Sequence, residues 1–240
     1  MRVSTLKKKA SSLETDVHRL KVLKKYFHKV DVISITEKQI VDFQAYRLRA
    51  KLSPSTVNSD VRTLMKILQW ALRQKLLPEI PRVEQIPEYP KEVELPTQEE
   101  IRLLLEALSK SALPVVWFIA ETGCRSGEAF NLTWDCVDEV KGWVEFKSKD
   151  GWTPKTFQSQ RRVPIGTDLV EMFRSMPKEG IYVFPTKSDF NKPRDNVRKA
   201  LAGAIRRAGI NRNGVPMKIT PRVLRKAFAR GIYPNTLEPH

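Results

Sequence analysis

The sequence predicts a mainly α-helical protein with a small antiparallel β-sheet, an α+β fold class, on three observations. Apolar residues recur at steps of three and four through the first third of the chain and again near residue 200, which is the period of amphipathic helices. Between Gly142 and Ile165 short apolar runs flank a polar, glycine-containing middle, which favours short antiparallel strands. Apolar residues make up 41% of the 240 residues, enough to form buried cores.

Helices account for the first third of the chain. The first predicted helix carries an apolar stripe from Leu13 to Phe27, opposite a Lys-rich face. The second begins at Thr36, because Thr36 and Gln39 form a capping-box pattern. The third begins at Ser53, a capping residue that is followed by proline at the first helical position. We interpret these stripes as the core of a helical bundle and not as functional sites.

A proline-rich segment divides the chain. Five prolines between residues 78 and 96 exclude a continuous helix and predict a semi-extended linker. A new capping-box pattern at Thr97 and Glu100 favours the start of a second domain, although a proline-rich loop inside one domain is the alternative. The predicted domains share this linker and cover residues 1–92 and residues 93–240.

The chain is strongly basic. It has 43 Lys and Arg residues against 27 Asp and Glu residues, a net charge of +16. A surplus of this size favours a polyanionic partner, since each neutralised phosphate of a nucleic acid releases counterions. A charge that only keeps the protein in solution, or a ribosome-like cationic surface, is the alternative.

Several classes of protein are disfavoured by the composition. The cysteines, Cys124 and Cys136, form no CxxC pair and lie far in sequence from His18, His28 and His240, which argues against a zinc site and a disulfide framework. No apolar run approaches the length of a membrane span, and the N-terminus lacks the apolar segment of a signal peptide. We therefore expect an intracellular protein.

The stretch from Thr122 to Asp138 reads TGCRSGEAFNLTWDCVD. It resembles the first signature box of the tyrosine recombinases, the phage integrase family: a TG[LC]R turn, an acidic residue three positions after the arginine, then an L-x-W-x-x-[VI]-D run. The resemblance covers roughly residues 10–230. Within it, residues 36–77 resemble the family's helical, SAM-like core-binding domain, and residues 95–100 resemble the opening of its catalytic domain.

By this resemblance, Arg125 corresponds to the family's first catalytic arginine. A planar, permanently charged guanidinium can hold two oxygens of one phosphate. The alternative for an arginine in a turn is a salt bridge, here with Glu128 or Asp138. Glu128 is interpreted as a residue that orients its neighbours.

The segment Thr153–Ile165 resembles the family's β-hairpin, whose K-T step supplies a mobile lysine. Lys155 occupies that position, with Lys147 and Lys149 as rivals on the preceding strand. In the family this lysine protonates the leaving 5′ oxygen, which suits an ammonium group in a phosphate-rich groove.

The segment Ile219–Ala229 resembles the second box, usually T-P-H-x-L-R-x-x-F-A. Arg225 matches the second catalytic arginine, and Arg222 stands at the usual histidine position. An arginine donates hydrogen bonds to a phosphate but cannot accept a proton, so a general-base role would be lost. Only 240 − 225 = 15 residues follow Arg225, so we expect the later G-H/W box and the nucleophilic tyrosine to be missing. Tyr233 does not match the nucleophile's context, and the nucleophile stays unassigned.

A further basic helix is predicted from the apolar period of Val197 to Ala208, with Gly209 as its C-terminal cap. Its basic face either contacts DNA phosphates or is simply solvated. The candidate DNA-binding residues on this helix are Arg198, Lys199, Arg206 and Arg207.

The resemblance implies site-specific DNA recombination or integration, as in mobile elements. A tyrosine would attack a phosphodiester, form a 3′-phosphotyrosyl link and release a 5′ hydroxyl, without a metal or any other cofactor. The implied partner is double-stranded DNA at a recombination site, on which the protein would form dimers or tetramers in the cytoplasm, associated with the nucleoid.

Three functional hypotheses remain at the level of sequence. The chain binds its DNA site but is catalytically impaired alone; or it is an active integrase whose tyrosine comes from another protomer or from residues outside this chain; or it is a non-catalytic DNA-binding regulator or remnant. A type IB topoisomerase shares the chemistry, but the N-terminal helical domain and the TGCR box fit recombinases better.

Overall fold

The computed structural model describes residues 10–90, 92–149, 152–153 and 160–233. The chain divides into two compact units, Met1–Lys91 and Glu92–His240, each with its own apolar core. The first unit is helical, and the second combines helices with short antiparallel strands. This composition confirms the α+β fold class.

Three α-helices and one short 3-10 helix form the described part of the first unit. Their starts agree with the capping patterns: Thr36 and Gln39 bond reciprocally, and the hydroxyl of Ser53 accepts from the backbone N–H of Thr56 at 3.3 Å. The helices are α1 (Ala10–Tyr26), α2 (Glu37–Arg49) and α3 (Pro54–Arg73), with the 3-10 turn Val32–Ser34 between α1 and α2.

The core of the first unit is aromatic where α1 meets α2. Tyr26 and Phe27 lie edge-on or tilted to Phe43, with ring centroids 5.0 and 5.5 Å away. The apolar stripe predicted for α1 is only partly buried, because Val17 is 50% exposed. The apolar stripe therefore lies in the core only toward the C-terminal end of α1.

The proline-rich segment is held against the first unit by two buried amides. No helix or strand forms at residues 78–90 and 92–96, as five prolines predict. The side chain of Gln44 donates to the carbonyl of Glu84 at 3.0 Å. The side chain of Asn58 donates to the Ile86 carbonyl at 2.9 Å and accepts from the Ile86 N–H at 2.9 Å. The predicted linker is thus an extended segment whose first part packs on the helices.

The first helix of the second unit begins with a capping box at Thr97 and Glu100, as predicted. The helices of this unit are α4 (Gln98–Glu106), α5 (Leu113–Thr122), α6 (Ser126–Phe130), α7 (Thr167–Ser175), α8 (Arg198–Arg207) and α9 (Pro221–Ala229). Its strands are β1 (Val137–Asp138), β2 (Trp143–Phe146), β3 (Arg161–Pro164), β4 (Asn211–Arg212) and β5 (Val215–Pro216), and a 3-10 turn covers Trp134–Cys136.

Strands β1, β2 and β3 form an antiparallel sheet in that order. Val144 pairs with Val163, and Phe146 pairs with Arg161. Val144 and Phe146 are buried, so this face of the sheet contacts the core. Because residues directly opposite in an antiparallel pair share a face, Arg161 lies on the core side and its neighbour Arg162 on the outer side.

Strands β4 and β5 form a two-residue hairpin. Asn213 and Gly214 both have positive φ, +50° and +76°, as the favoured two-residue turn requires. Arg212 in β4 ties this hairpin to the start of the unit: its guanidinium bonds both carboxylate oxygens of Glu100 and contacts Glu94 at 2.5 Å. Among the described residues, no helix is long and apolar enough to cross a membrane.

Candidate active site

A turn of residues 122–125, here called the signature turn, connects α5 to α6. Gly123 ends α5 in the left-handed conformation, with φ +57°. A Cβ atom at Gly123 would lie 2.2 Å from Cδ1 of Phe228 on α9, closer than any real contact. The absence of a side chain therefore lets α9 pack directly on the signature turn.

This packing brings Arg225 to the signature turn. Arg225 lies on α9 one turn before Phe228, and its Nη1 donates to the carbonyl of Gly123 at 2.5 Å. Arg125 follows in the same turn, two residues after Gly123. The two arginines that were predicted from separate sequence boxes, 100 residues apart, are thus anchored on the same short segment.

Arg125 is held by a buried carboxylate. Its backbone N–H donates to Oε2 of Glu128 at 2.8 Å, and its Nη1 donates to Oε1 at 2.8 Å. The side chain of Glu128 is 2% exposed, whereas that of Arg125 is 42% exposed. The salt bridge considered as an alternative for Arg125 does form, with Glu128, and it leaves much of the arginine side chain accessible to a ligand.

Arg161 reaches the same carboxylate from the sheet. Its Nη2 lies 3.0 Å from Oε2 of Glu128, and its Nη1 lies 3.3 Å from Oε1. Burial opposes ionisation of Glu128, but hydrogen bonds from Arg161 and Arg125 outweigh it and lower the pKa of this carboxyl group. Sequence reasoning missed Arg161. An acid in the signature box indicates a need for nearby cations, but only the strand register identifies Arg161 and not Arg162 as its partner.

Lys155, the candidate general acid, lies outside the described residues. Its two rivals, Lys147 and Lys149, lie just after the end of β2 and are engaged in other contacts. Lys147 pairs with Asp135 at 3.3 Å. Lys149 donates to the Asn131 carbonyl and to the Thr133 hydroxyl, and burial lowers its pKa.

A basic groove runs between α8 and α9. It has a volume of about 940 Å³ and is lined by Arg222, Arg198 and Arg206, with Ser126 next to the signature turn. Arg222 is exposed and lies one helical turn before Arg225 on α9. The other lining residues include the apolar Leu201, Ile205, Met217 and Ile219 and the charged Asp195 and Lys218.

Two of the predicted DNA-binding residues lie away from this groove. Lys199 is exposed but does not line it. Arg207 directs its guanidinium to the carbonyl of Ala107 at the end of α4, with Nη2 at 2.7 Å. Arg207 therefore ties α8 to α4, a role that helical periodicity alone could not distinguish from phosphate binding.

Tyr233 is bound to an acidic residue. Its hydroxyl donates to the carboxylate of Glu121, which also accepts from the indole N–H of Trp117 at 3.1 Å. Burial, together with the charge of Glu121, raises the pKa of Tyr233 to about 12. A phenol that is this hard to ionise is poorly suited to nucleophilic attack.

The site is cationic in the part of the chain that the structure describes. No group of three or more His, Cys, Asp or Glu side chains among those residues could hold a metal ion. An arginine guanidinium carries several N–H donors in a planar arrangement, which suits it to bind the oxygens of a tetrahedral anion.

Comparison with known sequences identifies the family. The sequence model described as the phage integrase family matches residues 95–240, more than half of the chain. The chain belongs to this family. A relative within the family, the ICEBs1 integrase of Bacillus subtilis (strain 168), is 28% identical over 160 residues, which cover 61% of this chain and 44% of the relative. The chain therefore matches less than half of that relative's length.

Solved structures share the fold. The Tn1549 transposon integrase in complex with transposon right-end DNA has a TM-score of 0.78 at 14% identity, over 92% of this chain and 80% of that one. A lambda integrase dimer bound to a COC′ core site has a TM-score of 0.73 at 15% identity, over 95% of this chain and 84% of that one. A lambda integrase tetramer bound to a Holliday junction has a TM-score of 0.73 at 14% identity, over 95% of this chain and 68% of that one. These likenesses confirm the predicted tyrosine recombinase fold.

Proposed function

We propose that this chain is a site-specific DNA recombinase of the tyrosine type, which binds duplex DNA and positions a scissile phosphate for strand exchange. The observation that carries the proposal is the hydrogen bond from Arg225 to the Gly123 carbonyl, in the turn that leads into Arg125. It holds the guanidinium of Arg225 at the turn that carries Arg125, and in this proposal both guanidiniums neutralise the same phosphate. Preorganised donors of this kind stabilise the charge that grows on phosphate oxygens at the transition state.

The proposal divides the work among four residues. Arg125 and Arg225 hold the non-bridging oxygens, and Lys155 protonates the leaving 5′ oxygen. Arg222, at the position where the family usually has histidine, donates a further hydrogen bond but accepts no proton. The nucleophile is a tyrosine, and the engagement of Tyr233 with Glu121 argues against Tyr233 in that role.

The units take separate parts in this proposal. Residues 1–92 act as a helical DNA-binding domain of the core-binding type, with the linker at 78–96, and residues 93–240 form the catalytic domain. Arg198 and Arg206 in the groove contact phosphates next to the scissile one. The protein assembles on its DNA as a dimer or tetramer, in the cytoplasm with the nucleoid. The net charge of +16 and the DNA complexes of structurally similar integrases support this part of the proposal.

Duplex binding at several salt concentrations tests the DNA-binding part. If about six phosphates are engaged, the logarithm of the binding constant should fall with the logarithm of salt at a slope of roughly −5. Arg125→Gln and Arg225→Gln should each make the slope shallower by about one unit. The control is Arg102→Gln, since Arg102 is already paired with Glu99 and Glu106 on the surface of α4. A salt-independent affinity would overturn the proposal.

A second candidate is a DNA-binding regulator that never cleaves. The arginine at the histidine position favours it, because the general base is lost there. The two candidate functions are distinguished by an assay on nicked suicide DNA. A second integrase protomer is added to the mixture to supply the tyrosine. A covalent protein–DNA adduct that depends on Arg125 of this chain supports the recombinase. If no adduct forms while the DNA is fully bound, the regulator is supported.

A further inference from the structure

The buried carboxylate of Glu128 binds two arginines, and only one of them belongs to the signature turn. Arg125 comes from the turn itself, three residues before Glu128 in the chain. Arg161 comes from β3, 33 residues later. Arg125 contacts the carboxylate through its backbone N–H and Nη1, and Arg161 through Nη1 and Nη2, so that one acid couples two separate elements of the fold.

Arg161 has a structural reason to be at this carboxylate. The register that pairs it with Phe146 turns its side chain to the core face of the sheet. Its guanidinium lies 4.8 Å from the centroid of the Phe146 ring, a cation–π contact that limits its orientation. An arginine on a core-facing position needs a carboxylate, and Glu128 supplies it.

Glu128 in turn needs Arg161. At 2% exposure, its carboxylate receives little solvation from water. The hydrogen bond from Arg161 is the strongest influence that favours its charged form, ahead of those from Arg125. Without Arg161, the acid that orients Arg125 would lose one of the two arginines that bind it.

On the basis of the function proposed above, we propose that Arg161 is a positioning residue, which fixes Arg125 toward the DNA phosphate through Glu128. It also links β3, the strand that directly follows the Lys155 segment in sequence, to the Glu128 carboxylate. Arg161 is not assigned a contact with DNA. It acts by keeping the Arg125 guanidinium in a geometry from which it donates to two phosphate oxygens.

The experiment is a double-mutant cycle on duplex binding with the full chain and duplex DNA of mixed sequence. The variants are Arg125→Gln, Arg161→Gln, the double variant and Arg162→Gln. Arg162 is the matched control: it is the next residue on the same strand, it carries the same charge, and it pairs with Glu145 on the outer face at 3.2 Å. Urea unfolding of each variant, at the temperature of the binding assay, first establishes that all are folded under the assay conditions.

We expect Arg125→Gln to weaken binding about tenfold or more, as loss of a charged hydrogen bond does. Arg161→Gln should weaken binding several-fold in the wild-type background and not at all in the Arg125→Gln background, because it acts through Arg125. Arg162→Gln should leave the affinity within about twofold in both backgrounds. Arg161→Lys, which keeps a charge for Glu128, should recover part of the loss.

Four outcomes would count against the inference. Additive effects of Arg161→Gln and Arg125→Gln would indicate that Arg161 contacts DNA directly. An unfolding shift without any change in affinity would make Arg161 merely structural. If Arg161→Gln does not fold, the same cycle with Arg161→Lys decides, and an unchanged affinity there overturns the proposal. If Arg125→Gln alone does not change the affinity for the duplex, the proposed phosphate site is wrong, and this inference is wrong with it.

Discussion

Replacing Gly123 with alanine tests whether α9 packs directly on the signature turn. The left-handed φ of +57° costs an alanine about 1–2 kcal/mol. The Cβ atom would also meet Cδ1 of Phe228 at 2.2 Å, and overpacking of this kind costs about 1–3 kcal/mol. We therefore expect Gly123→Ala to lower the free energy of unfolding by about 2–5 kcal/mol. Urea unfolding followed by tryptophan fluorescence reports mainly on this unit, because Trp117, Trp134, Trp143 and Trp152 lie in it.

Gly209 provides the control for this substitution. Its φ is +66°, yet a Cβ atom there would have no neighbour within 4 Å, so Gly209→Ala should lose only the backbone contribution. The difference between the two variants, about 1–3 kcal/mol, measures the clash with Phe228, and it should vanish in a Phe228→Ala background. If Gly123→Ala costs no more than Gly209→Ala, α9 does not pack on the turn as described.

Three further predictions concern other parts of the chain. Arg212 lowers the pKa of Glu100 to about 2, so the contribution of Glu100 to stability is full above pH about 4.5 and is lost as the pH falls toward 2. In Arg212→Ala, the free energy of unfolding in urea should therefore fall by about 1 kcal/mol less over that pH range than in the wild type. Tyr233→Phe should leave duplex affinity unchanged, and an adduct on nicked DNA that forms only when Tyr233 is present would contradict our account of its hydroxyl. Asn58→Ala should cost about 1–3 kcal/mol and make the 84–88 segment more sensitive to limited proteolysis, since it removes the amide that binds Ile86; equal cleavage rates would count against this anchoring.

Local patterns made much of the fold predictable. The helix starts at Thr36, Ser53 and Thr97 are fixed by hydrogen bonds that span three residues, and such bonds can be recognised from the sequence. The strands of the three-stranded sheet were indicated by short apolar runs that flank a polar, glycine-containing middle. Arg125 and Arg225 were found only because residues around each resemble the boxes of a known family.

Contacts between distant segments were the part that the sequence could not predict. Arg161 and Arg162 are adjacent and chemically identical, and only the strand register decides which one faces Glu128. Similarly, Arg206 and Arg207 both lie in the last turn of α8, but one lines the groove and the other binds the end of α4. Charge and helical period assign such neighbours the same role until the packing is known.

The central claim is that Arg125 and Arg225 hold the same DNA phosphate. The most direct measurement uses a duplex selected from a random pool by the wild-type chain, in which one phosphate at a time is replaced by an uncharged methylphosphonate. In the wild type, one position should weaken binding most. We predict that the methylphosphonate at this same position weakens binding less in Arg125→Ala and in Arg225→Ala than in the wild type, because each variant keeps only one of the two arginine contacts. If the two variants become indifferent to different phosphates, the arginines do not converge, and the proposed active site is wrong.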